Sequence, residues 1–84
     1  MSKVVMYSKG YCPYCHAAKE LLDSKAVAYE VIAIDGDENL RAEMMQRSGR
    51  HTVPQIFIGD HHVGGFDDLS AANRSGELDR LLTA

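Results

Sequence analysis

The chain has no Pro-rich or Ser-rich stretch, no block of like charge and no concentrated basic patch. The first absence removes any linker or tail, so all 84 residues are expected to form a single domain, 1–84. The third removes the footprint that phosphate neutralisation demands, because 12 acidic and 9 basic residues are interspersed to a net charge of -3; nucleic acid is not an expected partner. At the N-terminus only Val4, Val5, Met6 and Tyr7 run together as apolar residues. That run is too short for a signal-peptide core or a membrane span, so no membrane partner is expected and the expected compartment is the cytoplasm. Cysteine is scarce too: there are two, Cys12 and Cys15. In a reducing compartment a pair so close reads as redox chemistry, metal binding or haem attachment rather than as a structural staple. The loop it closes is also too small to stabilise the fold by more than about 2 kcal/mol.

What is present alternates strand and helix signals. Lys3 to Tyr7 reads as a buried strand, and Ser8 to Tyr11 as a loop turning at Gly10. Pro13 opens a helix whose apolar face is Tyr14, Ala17, Ala18, Leu21 and Leu22. Ala28 to Ile34 reads as a second strand. Asp37 is the expected N-cap of a helix running to about Ser48, with Gly49 just past its end. Gln55 to Ile58 and His61 to Val63 flank Gly59-Asp60 as a hairpin; Gly64-Gly65 then breaks the strand, Asp67 is the expected cap of a further helix, and Gly76 interrupts it before Glu77 to Leu82. The order β-α-β-α-β-β-α, with short connections, predicts an α/β fold: a four-stranded mixed sheet with helices on both faces. Leu40, Met44, Met45, Leu78, Leu81 and Leu82 fall at helical spacing and Ile56, Phe57 and Ile58 on a buried strand, and all read as core.

The cysteines sit where the first strand hands over to the first helix. With Pro13 suited to the first helical position, Cys12 becomes the N-cap, where unpaired N–H groups of the first turn and the positive end of the helix dipole favour a thiolate. Lys9 and a protonated His16 are placed to add positive charge. Cys15, one turn in, is expected to be more buried and to serve as the resolving thiol. Three other readings compete for these residues. Cys12-x-x-Cys15-His16 matches a c-type haem attachment pattern, but the strand-to-helix setting does not suit it. Zinc would need Cys12, Cys15, His16 and one of His51, His61 or His62, with no second Cys-x-x-Cys or His-x-x-x-His to support it. Two inert core cysteines leave a Cys at N-cap followed by Pro without a reason. His61 and His62 sit on the hairpin and read as non-catalytic, at least one of them facing water.

Three motifs together, Cys12-Pro13-Tyr14-Cys15, Thr52-Val53-Pro54 and Gly64-Gly65-Phe66-Asp67-Asp68-Leu69, resemble the glutaredoxin family in its short bacterial dithiol form, over nearly the whole chain. The resemblance implies the thioredoxin fold, a disulfide oxidoreductase with no permanently bound cofactor, and glutathione as reducing co-substrate. It implies that Pro54 is cis and that Val53, with Thr52 alongside, pairs its backbone with the cysteinyl part of glutathione. It places the γ-glutamyl end at Gly65, Phe66 and Asp67, the glycine carboxylate near Lys9 and Arg41, and Tyr14 beside the ligand. Phe66 departs from the Cys or Ser that many relatives carry there and leaves the enzyme without a third thiol.

The expected reactions are reduction of protein-glutathione mixed disulfides by Cys12, and of protein disulfides by Cys12 with Cys15 resolving. The partners implied are glutathionylated or disulfide-containing proteins, ribonucleotide reductase among them, and glutathione reductase acting through glutathione; a monomer is expected. A thioredoxin-like reductase recharged by a flavoprotein is the enzymatic alternative. An iron-sulfur cluster held between two protomers by Cys12 and two glutathiones is the non-enzymatic one.

Overall fold

The computed structural model describes residues 3–83. Its elements in order are β1 (Val4–Ser8), α1 (Pro13–Ser24), β2 (Glu30–Ala33), α2 (Glu38–Ser48), β3 (Gln55–Ile58), β4 (His61–Gly64), α3 (Phe66–Ser75) and α4 (Glu77–Thr83). The sheet order is β2-β1-β3-β4. β1 pairs with β2 in parallel and with β3 antiparallel, and β3 with β4 antiparallel. This is the mixed sheet expected, in the arrangement of the thioredoxin fold.

Strand alternation divides the core in two. Val4 and Met6 of β1 and Ile56 and Ile58 of β3 face α1, α3 and α4, packing with Ala18, Leu22, Leu69, Leu78 and Leu82. Tyr7 and Phe57 point the other way, onto Ile34 and Met44, with Leu40 of α2 against them. Helices therefore cover both faces, α2 alone on one of them.

Several boundaries differ from the sequence reading. β1 runs on to Ser8, which pairs with Ala33 and is buried, while the ladder reaches back only to Val4. β2 is shorter than Ala28 to Ile34, because its parallel ladder with β1 begins at Glu30. It is an edge strand, mostly exposed, with the Lys3–Glu30 ion pair at 2.9 Å along it. Met45 is 42 % exposed and not core; Met44 alone of α2 is fully buried. Tyr14 likewise lies off the buried stripe of α1, which is Cys15, Ala18 and Leu22.

Capping follows the local chemistry. Asp37 accepts the Leu40 N–H at 3.0 Å, and Gly49 and Gly76 end α2 and α3 in the left-handed region. The start of α3 departs from expectation. Its N-cap is Gly65, and Asp67 lies inside the first turn; the carboxylate that reaches back to the Gly65 N–H belongs to Asp68, at 3.0 Å. Among the described residues no helix is long and apolar enough to cross a membrane.

Candidate active site

Pro13 supplies a pre-set φ at the first helical position and has no N–H to leave unpaired. Cys12 before it is extended (φ -157°, ψ 111°), and its Sγ accepts the Cys15 N–H at 3.3 Å. The same sulfur faces the Val53 carbonyl oxygen at 4.0 Å. Both cysteines are free thiols, Cys12 partly exposed and Cys15 buried at 1 % exposure. Burial, and secondarily the contact with Cys12, pushes the Cys15 thiol up from its ordinary range. The inequality arises from the helix itself, because Cys15 begins the stripe that continues through Ala18 and Leu22 into the core while Cys12 stands outside the helix. The loop that delivers Cys12 is fastened at Gly10, whose N–H donates to the Asp35 carboxylate at 3.1 Å.

Across from the thiols, the Val53–Pro54 peptide is cis. The loop carrying it hangs on Gln55, a fully buried polar residue. The Gln55 amide donates to the Thr52 carbonyl at 3.0 Å and to its hydroxyl at 3.3 Å. With both donors turned to Thr52, its oxygen accepts from His62 Nε2 at 2.7 Å, which fixes the proton of His62 on that nitrogen. The His62 ring stacks on Phe57 with centroids 4.8 Å apart. Burial, then the Arg50 charge, holds its pKa below the usual imidazole value.

The third wall is the turn into α3. Gly64 has φ +119°, and a Cβ there would lie 2.3 Å from an oxygen of Asp68, so the glycine is required twice over. Asp68 also forms an ion pair with Arg50 at 2.8 Å. The Arg50 hydrogen bond first, and the Gly65 N–H second, hold its carboxyl below the usual carboxylate range.

These elements and the loops between them border three hollows, one of them lined by Cys12 itself. One, of about 300 Å³, brings together Tyr14, Thr52, Val53, Pro54, Gly65, Phe66 and Asp67, seven of the residues singled out in the sequence, and adds Arg50 and Asp68. The Tyr14 and Phe66 rings flank it with centroids 6.4 Å apart. A second, of about 320 Å³, contains Cys12 and Cys15 with Lys9, His16 and Lys19. The third, of about 480 Å³, joins Lys9 to Arg41 beside Asp35, Asp37 and Glu38. Lys9 thus borders both the thiol hollow and the Arg41 hollow. A more apolar hollow between Val4, Tyr29 and Leu82 contains no cysteine. The sequence reading missed Arg50, Asp68, Gln55 and His62. Asp68 stood inside a quoted motif and Arg50 two residues before another, whereas Gln55 had no signal beyond its place at the head of an apolar strand.

A helix-capping cysteine, a buried second thiol one turn on and a cis-proline loop facing both define a thiol-disulfide oxidoreductase of the thioredoxin fold. The glutaredoxin family model matches residues 4–63. Glutaredoxin of Pseudomonas aeruginosa is 54% identical over 84 residues, 100% of both chains, and Glutaredoxin 3 of Escherichia coli strain K12 is 55% identical over 82 residues, 98% of this chain and 99% of that one. A crystal structure of a buckwheat glutaredoxin-glutathione complex superposes with a TM-score of 0.88 at 36% identity, over 98% of this chain and 77% of that one. The chain belongs to the glutaredoxin family and is a disulfide oxidoreductase.

Proposed function

We propose that the protein, working as a monomeric single domain in the cytoplasm, reduces protein-glutathione mixed disulfides and protein disulfides with glutathione as the electron donor. The observation that carries this reading is the position of Cys12 Sγ, 4.0 Å from the Val53 carbonyl, beside a hollow whose walls are Tyr14, the Thr52-Val53-Pro54 loop and the Gly65 to Asp67 turn. The buckwheat relative, whose structure is that of a complex with glutathione, supports it.

In this reading the Val53 backbone, beside the cis bond to Pro54, pairs with the cysteinyl unit of glutathione. N–H groups of Phe66 and Asp67 at the start of α3 receive the γ-glutamyl carboxylate, and the Asp67 side chain its ammonium. Lys9 and Arg41 attract the glycine carboxylate. The Cys12 thiolate attacks the glutathione sulfur of a mixed disulfide; that S–S bond breaks, and the protein sulfur leaves as a thiolate and takes a proton from water. The thiolate of a second glutathione attacks the same glutathione sulfur, forming oxidised glutathione and returning Cys12 as a thiolate. With a protein disulfide, the Cys12 thiolate attacks one substrate sulfur and expels the other as a thiolate, which takes a proton from water. Cys15, having lost its proton, then attacks Cys12 Sγ and releases the second substrate thiol, and two glutathiones reduce the Cys12–Cys15 disulfide. The raised thiol of Cys15 suits this order, since burial favours its protonated form and leaves Cys12 as the attacking sulfur. Ribonucleotide reductase and glutathionylated proteins are the substrates proposed, with glutathione reductase as the indirect source of electrons.

The deciding assay follows release of glutathione from a glutathionylated peptide, coupled to glutathione reductase. Activity is expected in the wild type, absent in Cys12→Ser and retained in Cys15→Ser. A folded, reduced wild type that ignores glutathione and accepts electrons from a flavoprotein thioredoxin reductase would overturn the proposal.

A further inference from the structure

We propose that Arg50 is a positioning residue of the glutathione site, acting through Asp68 to latch the proline loop onto the start of α3; the inference rests on the glutathione reading above. The Arg50 backbone is pinned first: its N–H donates to the Ser48 hydroxyl at 3.0 Å, and that hydroxyl donates to the Arg50 carbonyl at 3.1 Å. From there the guanidinium crosses to Asp68, 18 residues away, and its Nη1 donates to Oδ2 at 2.8 Å. That one oxygen also accepts the Gly65 N–H at 3.0 Å and occupies the space a Cβ on Gly64 would fill. On the other side of the seam, the position of a Cβ on Gly65 lies 3.5 Å from the Pro54 carbonyl oxygen, so loop and turn meet backbone to backbone there. The ion pair therefore spans the two walls between which the γ-glutamyl end would sit, and both of its residues line that hollow.

The pair also sets the charge of the hollow. Asp67 and Asp68 are adjacent in the first turn of α3, and two free carboxylates there would repel the γ-glutamyl carboxylate as well as attract its ammonium. Arg50 neutralises Asp68 and leaves Asp67 as the single anion for the ammonium. A charge-assisted contact held in the free protein in this way lowers the ordering that ligand binding must impose. Removing it should weaken recognition of glutathione and leave the sulfur chemistry intact.

The test uses the full chain with a glutathionylated peptide as the varied substrate. In Arg50→Ala we expect KM to rise about fivefold with kcat within about twofold of wild type, the signature of lost substrate binding rather than lost transition-state stabilisation. Arg50→Lys should recover part of the loss, because the charge remains and the fixed planar fork does not. Alkylation of Cys12 by iodoacetamide, which has no glutamyl end, should proceed at the wild-type rate in every variant. Adding Asp68→Asn to Arg50→Ala should raise KM no further, since the residues act as a unit. An unchanged KM in Arg50→Ala beside an active wild type overturns the latch alone, as does a variant whose alkylation rate and kcat change together with KM. A wild type inactive with glutathione overturns the latch and the glutathione reading together.

Discussion

Gln55 shows how much one residue carries in this site. It is fully buried, and its amide makes contacts to the Thr52 carbonyl, the Thr52 hydroxyl and His62. A leucine of similar size would fill the space and leave a carbonyl and an imidazole N–H unpaired, a cost of about 2 kcal/mol. Gln55→Leu is thus expected to lower the urea midpoint by a corresponding amount and to raise KM for the glutathionylated peptide, since the loop it suspends forms a wall of the hollow. Equal stability of the variant and wild type in urea titrations would show that the loop is held by other means. Gln55 was read only as the head of an apolar strand, because nothing in Gln-Ile-Phe-Ile distinguishes a buried polar anchor from a strand end. Its partner His62 comes from the neighbouring strand, through a register shift between Ile56 and Phe57 that the sequence does not reveal.

Among the elements, the end of α1 departs from the pattern of the other helix ends. α2 and α3 close on glycines in the left-handed region, whereas Ala26, just past the Lys25 cap, adopts φ +56° with a side chain attached. That conformation costs an L-residue about 1 to 2 kcal/mol, partly offset because glycine gives the unfolded chain more freedom. Ala26→Gly should raise stability by about 0.5 kcal/mol, measurable as an upward shift of the thermal midpoint without change in activity. Elements governed by one residue's own conformational chemistry were legible in the sequence: Pro13 opening α1, Asp37 capping α2, Gly49 and Gly76 ending their helices. Those governed by neighbours were less so. β2 is trimmed by its ladder with β1, Met45 turns away because a single turn of α2 meets the sheet, and the cap of α3 lies at Gly65 because the close approach to Asp68 and Pro54 decides where that helix can begin. The three motifs were legible because each is a short segment of local geometry, and the sheet then brings Tyr14, the Thr52-Val53-Pro54 loop and the Gly65 to Asp67 turn to one hollow.

On the scale of the whole molecule, two titrations should shape stability against pH. Arg50 and the Gly65 N–H hold Asp68 below its unfolded value of about 3.9, so the stability it contributes is complete above that value and is lost as pH falls through the lower folded value. Burial and the Arg50 charge hold His62 below its unfolded value of about 6.5, so the fold favours the neutral ring. For His62 the unfolded chain binds more protons as pH drops below about 6.5, and stability declines until the folded value is passed, after which the loss stays constant. Urea midpoints are therefore expected to fall in two steps, one beginning near neutrality and one in the acid range. His62→Gln should flatten the first and Asp68→Asn the second. Midpoints that stay level from pH 7 to pH 5 in the wild type would rule out the His62 contribution.

The buried position of Cys15 gives the molecule a practical identity as well. With two sulfhydryls in the sequence and one of them at 1 % exposure, the reduced, folded chain offers a single point of attachment. A maleimide dye, spin label or resin linker too bulky to enter the core should couple once per molecule, at Cys12, and a second equivalent should react only after denaturant is added. Counting labels by mass before and after unfolding turns the asymmetry of the pair into a gauge of how firmly the first turn of α1 stays packed.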